Sequence, residues 1–135
     1  MYTASLSIDN ILNPQLISLQ TEVSIREFIE VAFVQLQTGQ NADPFKFTID
    51  YFGYDYFQGN KSYLGYFIVS INGYSSSASQ YWDLIINGQP STLGMDSYLV
   101  QPDDQIELKW VTSPPKLETA AARYQSARAR RTAQA

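Results

Sequence analysis

The chain has 135 residues, enough for one domain with an ordinary core. Hydrophobic residues make up 44% of it and charged ones 16%, with ten Tyr, seven Phe and two Trp, a balance that argues against disorder over most of the length and favours β structure. There is no Cys and no His, which excludes disulfides and thiolate metal sites and removes the commonest general base and the commonest metal ligand.

The net charge of −4 hides an asymmetry. Residues 1–115 carry four basic residues (Arg26, Lys46, Lys61 and Lys109) against twelve acidic ones, a net of −8. Residues 116–135 carry five basic residues against Glu118, a net of +4. The body is acidic and the tail basic. No apolar run approaches the roughly 20 residues of a membrane span. Met1 to Leu6 lack the basic and apolar regions of a secretory signal, so no signal peptide is expected within this chain.

Taken in order, Leu6 and Ile8 alternate with Ser5, Ser7 and Asp9, which predicts a half-buried strand over residues 4–9. Asn10 and Asn13-Pro14 break it, and Gln15 to Val23 continue as a second strand. Ser24 followed by Glu27 is a capping box, in which each side chain satisfies the other's backbone N–H. Ile25, Phe28, Ile29, Ala32, Phe33 and Leu36 follow at helical spacing, predicting a helix over 25–37.

Phe45, Phe47, Ile49 and Tyr51 alternate with Lys46, Thr48 and Asp50, a strand that Gly53 interrupts. Tyr54 to Lys61 reads as an aromatic loop or hairpin. Leu64 to Ile71 and Tyr81 to Ile86 are buried strands, each closed by an Asn-Gly pair that tolerates positive φ. Ser75 to Ser79 is a polar loop and Gln89 to Gly94 a short connection. Ser97 to Val100 is a brief extended piece. After the Gln101-Pro102-Asp103-Asp104 turn, Ile106, Leu108 and Trp110 point one way from the last strand, and Glu107 and Lys109 the other. Pro114-Pro115 ends the domain. Leu117 to Ala135 holds seven Ala and four Arg, a composition that favours helix without offering a core-forming face.

This order predicts an α+β fold: a β-grasp-like mixed sheet with one packed helix over residues 1–113, and a basic tail, flexible or ordered by a partner, over 114–135. The run Gly65-Tyr66-Phe67-Ile68-Val69-Ser70-Ile71-Asn72-Gly73, then Tyr81-Trp82 with Asn87-Gly88 behind, then Gly94, Tyr98, Asp104 and Trp110, resembles the transcobalamin C-terminal-like domain family, over roughly residues 4–112. Two positions depart from that pattern: Asp103-Asp104 stands where the family usually has Gly-Asp, and Asp83 follows Trp82. The resemblance implies a small module that closes over cobalamin beside a helical domain, or a module of bacterial surface proteins. It makes an extracellular, cell-surface or virion location the expectation. This chain carries no helical domain and offers no imidazole to cobalt.

Several clusters are candidates for function. Trp82 and Trp110 fall on neighbouring strands, either as sheet packing or as a stacking platform for a flat ligand or sugar. Tyr51, Phe52, Tyr54, Tyr56, Phe57, Tyr63 and Tyr66 are too dense for one small core, which points to an interaction surface. Asp96, Asp103, Asp104 and Glu107 offer oxygen ligands for a cation, but their spacing fits no EF-hand, and turn chemistry accounts for Asp103 and Asp104. Arg123, Arg128, Arg130 and Arg131 form a basic arm, and the acidic body argues against nucleic acid as its partner. No motif places a base beside a nucleophile, so neither an enzyme nor a cofactor is expected. The sequence therefore points to a non-catalytic module. Its contacts would be with other protein chains or further copies of itself in a larger surface, virion or filament structure, through Tyr51, Tyr54, Tyr56, Phe57, Tyr63 and Trp82 and through the arginines. The alternative is a small-ligand binder, cobalamin-like or carbohydrate, with an aromatic face.

Overall fold

The computed structural model describes residues 1–37, 45–55, 62–77, 80–91, 95 and 98–112, with the backbone alone fixed for 50–55 and 62–66. Strands β1 (Tyr2–Ile8) and β2 (Leu12–Leu19) pair antiparallel. Alternation turns Ala4, Leu6 and Ile8 inward beside Ile17 and Leu19. Asn10 makes the turn at φ 65°, a left-handed conformation that asparagine tolerates. Asn13 and Pro14, expected to break the chain, lie inside β2 instead. β2 is an edge strand whose register slips against β1 between Leu6 and Ile8. An edge position spares proline the loss of a ladder bond.

The capping box forms as expected. The Ser24 N–H donates to Glu27 Oε1 at 3.0 Å and the Glu27 N–H to Ser24 Oγ at 3.2 Å. Helix α1 then spans Ile25–Gln37, the predicted range. Ile25, Phe28, Ile29 and Ala32 form its buried stripe. Truncating Phe28 to Ala would cost about 3–5 kcal/mol through lost burial and the cavity left behind. No helix among the described residues is long and apolar enough to cross a membrane.

Strands β3 (Phe47–Asp55), β4 (Ser62–Ile71) and β5 (Tyr74–Ser75) form one sheet in that order. Strands β6 (Tyr81–Ile86), β7 (Gln89–Pro90) and β8 (Gln105–Val111) join the first hairpin in a five-stranded sheet of order β2-β1-β8-β6-β7. β1 and β8 run parallel and the other neighbours antiparallel. A mixed sheet with the first and last strands at its centre and one helix packed on a face is the expected α+β, β-grasp-like arrangement. The second sheet was not expected. β3 runs through Gly53 without a break, and its register shift lies between Thr48 and Ile49. β5 and β7 follow the two Asn-Gly turns, where Asn72, Gly73, Asn87 and Gly88 all have positive φ, as a tight hairpin turn requires.

The core lies on one face of the five-stranded sheet. Leu6, Ile8, Leu84 and Leu108 meet Phe28 and Ile29 of the helix, Phe45 before β3, Ile68 and Ile71 of β4, and Met95 and Val100. Phe33 of the helix packs edge-on against Phe45 and Phe47, with centroids 5.5 and 6.4 Å apart, so aromatic contacts tie the helix to the start of the second sheet.

Candidate functional site

Trp82 on β6 and Trp110 on β8 are direct cross-strand partners, so their side chains share a face. Their ring centroids are 4.9 Å apart. Tyr74, set on β5 by the Asn72-Gly73 turn, packs edge-on against both indoles at 6.1 and 5.6 Å. The Trp82 Nε1–H donates to the Tyr74 carbonyl at 2.8 Å, which locks the buried indole beneath the hairpin. Exposure grades outward through the three. Trp82 is 4% exposed, Trp110 is half-buried and Tyr74 is 38% exposed. A buried, hydrogen-bonded ring thus supports a partly open aromatic rim where the two sheets meet. Rigid aromatic rings lose little entropy on binding and present a polarised π face to flat or apolar ligands. Beside them, the Asp9 carboxylate accepts the Trp110 backbone N–H at 3.1 Å.

At the other end of β8, Asp104 is buried. Its Oδ1 accepts from Asn87 Nδ2 at 2.8 Å, and its Oδ2 accepts from the Tyr98 hydroxyl at 2.6 Å and the Gln101 N–H at 2.8 Å. Asn87 in turn accepts the Gln105 N–H at 2.8 Å. The bond to Asp104, helped by burial, pushes the Tyr98 phenol up to about 12. This carboxylate is committed to holding the β6–β7 turn, the 98–101 segment and the start of β8 together. Asp103 occupies a left-handed turn position at φ 65°. Both acids therefore have structural work, as turn chemistry predicted.

Of the sequence-predicted interaction residues, Tyr51 and Tyr54 lie on β3 and Tyr63 on β4, where the register pairs Tyr54 with Tyr63. Tyr56, Phe57, Arg123, Arg128, Arg130 and Arg131 fall outside the described residues, as does Asp96. Trp82 is the support beneath the rim rather than its surface. Tyr74 was missed in the sequence, and its signal was there: it directly follows Asn72-Gly73, so a tight turn must carry it back across β4.

The domain is thus a β-grasp-like fold with an aromatic rim between two sheets. Residues 48–112 match the model of a domain of unknown function (DUF4430). Among solved structures the chain is similar to haptocorrin in complex with Cbi, at 18% identity and a TM-score of 0.61. That alignment covers 83% of this chain and 25% of haptocorrin, so this chain spans about a quarter of that protein. At this identity the likeness is one of fold, and it agrees in fold with the transcobalamin-like resemblance. A Ruminococcus gnavus protein provisionally described as metal-binding is similar at 13% identity and a TM-score of 0.43, over 82% of this chain and 95% of that one. No curated protein matches the chain.

Proposed function

We propose that this chain is a non-catalytic small-ligand-binding domain whose rim of Tyr74 and Trp110, backed by Trp82, stacks on a flat, ring-shaped ligand. The observation that carries the reading is the graded aromatic cluster. Three aromatic rings in mutual contact at a sheet junction, with the outermost 38% exposed, exceed what sealing the core requires. The fold it shares with haptocorrin, solved with Cbi, supports a corrinoid as the first class to test. In that protein the matching region is a quarter of the chain. By itself this domain offers one wall of a site, so weak affinity is expected of it alone. This support puts the small-ligand reading ahead of the assembly module expected from sequence.

Trp110 sits in the rim and Trp82 directly beneath it, so tryptophan fluorescence reports on the rim. Titration of the full chain with cobinamide, cobalamin and simple glycans should give saturable quenching with a corrinoid, after correction for ligand absorbance. A flat response to all three would sink the proposal.

A further inference from the structure

The two tight hairpin turns are near copies of each other. Both are built on the same tripeptide, Ile71-Asn72-Gly73 and Ile86-Asn87-Gly88. Their backbones match: φ is 48° and 87° at Asn72 and Gly73, and 52° and 81° at Asn87 and Gly88. All four turn residues are exposed, and no atom lies within 4 Å of where a Cβ on either glycine would stand. The side-chain amides differ. Asn87 is held at both ends, its Oδ1 by the Gln105 N–H at 2.8 Å and its Nδ2 by the buried Asp104 carboxylate at 2.8 Å. Asn72 is held at one end only. Its Oδ1 accepts the Lys46 N–H at 2.6 Å, and its Nδ2 has no partner among the described residues.

We propose that Asn72 is a site of deamidation in the folded protein, while Asn87 is protected. Hydroxide takes the proton of the Gly73 N–H, and the nitrogen attacks Asn72 Cγ. A C–N bond forms, the Cγ–Nδ2 bond breaks, and Nδ2 takes a proton from water and leaves as ammonia. The resulting succinimide is opened by water at either carbonyl, giving isoaspartate or aspartate. No oxidant or reductant takes part. A following glycine permits the attack because no Cβ crowds the nitrogen. The amide must first swing round to bring Cγ to that nitrogen. At Asn72 the swing breaks one hydrogen bond, and Nδ2 is already open to water. At Asn87 it breaks two, one of them to a charged acceptor, and strands the buried Asp104.

What the hairpin carries gives the reaction a consequence. Opening to isoaspartate inserts one methylene into the main chain of the turn. The strand after it, β5, is only Tyr74–Ser75, paired as Ile71↔Tyr74 and Ser70↔Ser75. The Tyr74 carbonyl accepts the Trp82 indole N–H at 2.8 Å, and the Tyr74 ring packs against both tryptophans. Isoaspartate in this turn therefore shifts Tyr74 against Trp82 and reshapes the aromatic rim. This inference is independent of the ligand reading.

The test needs no variant. The full chain is aged at mildly alkaline pH, and peptide mapping by mass spectrometry follows both asparagines over time. In the folded protein Asn72 should deamidate at least about tenfold faster than Asn87, the effect of one further bond to a charged acceptor. In denaturant the shared tripeptide should bring the two rates together. The isoaspartate form, separated by chromatography, should differ from the parent in tryptophan emission. Equal rates in the folded chain, or no reaction at Asn72, would overturn the proposal. So would a gap that persists in denaturant, or parent-like emission from the isoaspartate form.

Discussion

The Tyr98 hydroxyl donates to Asp104 Oδ2 at 2.6 Å, the shortest of three bonds that satisfy one buried carboxylate. A fully partnered buried charge holds its surroundings; removing its capacity strands the partners. Asp104→Asn turns one acceptor into a donor facing existing donors. It should cost about 2–3 kcal/mol in denaturant unfolding. It should also return the Tyr98 phenol from about 12 toward the ordinary tyrosine range, read as a low-pH shift of one tyrosinate absorbance step. An unchanged absorbance titration would show that the bond does not govern Tyr98.

Asn87 separates conformation from bonding. It holds φ 52°, which glycine adopts freely, but its amide also bridges Asp104 and the Gln105 N–H. Asn87→Gly should therefore destabilise by about 1–3 kcal/mol. Were the residue needed only for its φ, the variant would be neutral, and a midpoint equal to that of the parent would say so.

Asp83 makes stability fall as pH rises. Burial pushes its carboxyl up to about 6, against the Leu84 N–H and Lys109, which favour the charged form. An acid raised on folding favours the native state when protonated. Its contribution is full below about pH 4 and is lost as pH passes through about 6, amounting to about 3 kcal/mol at most. Glu27 acts in the opposite sense: its bonds from Ser24 hold its carboxyl below the usual range, and that stabilisation is lost on acidification. Asp83→Asn should flatten the decline between pH 4 and 7 and raise stability at pH 7. Unfolding curves that stay parallel to those of the parent across this range would contradict the assignment.

Gln35 blunts the β2 edge. Its amide bonds both backbone groups of Ser18, Nε2 to the carbonyl at 2.6 Å and Oε1 from the N–H at 3.0 Å, taking the place of a next strand. Pro14 supplies no N–H, and Leu16 between them is 75% exposed. Gln35→Ala should cost about 1 kcal/mol and lower the concentration at which the chain self-associates in sedimentation velocity. Association identical to the parent would mean that Pro14 suffices.

Much of this fold was legible in the residues. Ser24, Glu27 and the apolar spacing after them located the helix, and the two Asn-Gly pairs located both hairpin turns. The apolar run closed by Asn87-Gly88 located β6, and period-two alternation located β8, and with them the neighbouring strands of Trp82 and Trp110. What sequence missed depends on sheet partners. Pro14 reads as a breaker unless β2 is known to be an edge, and Gly53 reads as a break unless β4 pairs across it. Strands β5 and β7 are two residues each, too short for any periodicity. Of the site, the two tryptophans were visible in advance. Tyr74 was not: the Asn72-Gly73 turn returns it across β4, but its place in the rim depends on how the second sheet lies against the first.

Binding of a flat ligand by the rim of Tyr74 and Trp110 is tested by calorimetric titration of the full chain with cobinamide, in parallel with a Tyr74→Ala variant. Tyr74→Ala keeps the carbonyl that holds the Trp82 indole and removes only the exposed ring. Saturable binding by the parent is expected, weakened about tenfold in the variant, the equivalent of about 1.4 kcal/mol of stacking. Absence of binding by the parent, or equal affinity in a folded variant, would contradict it.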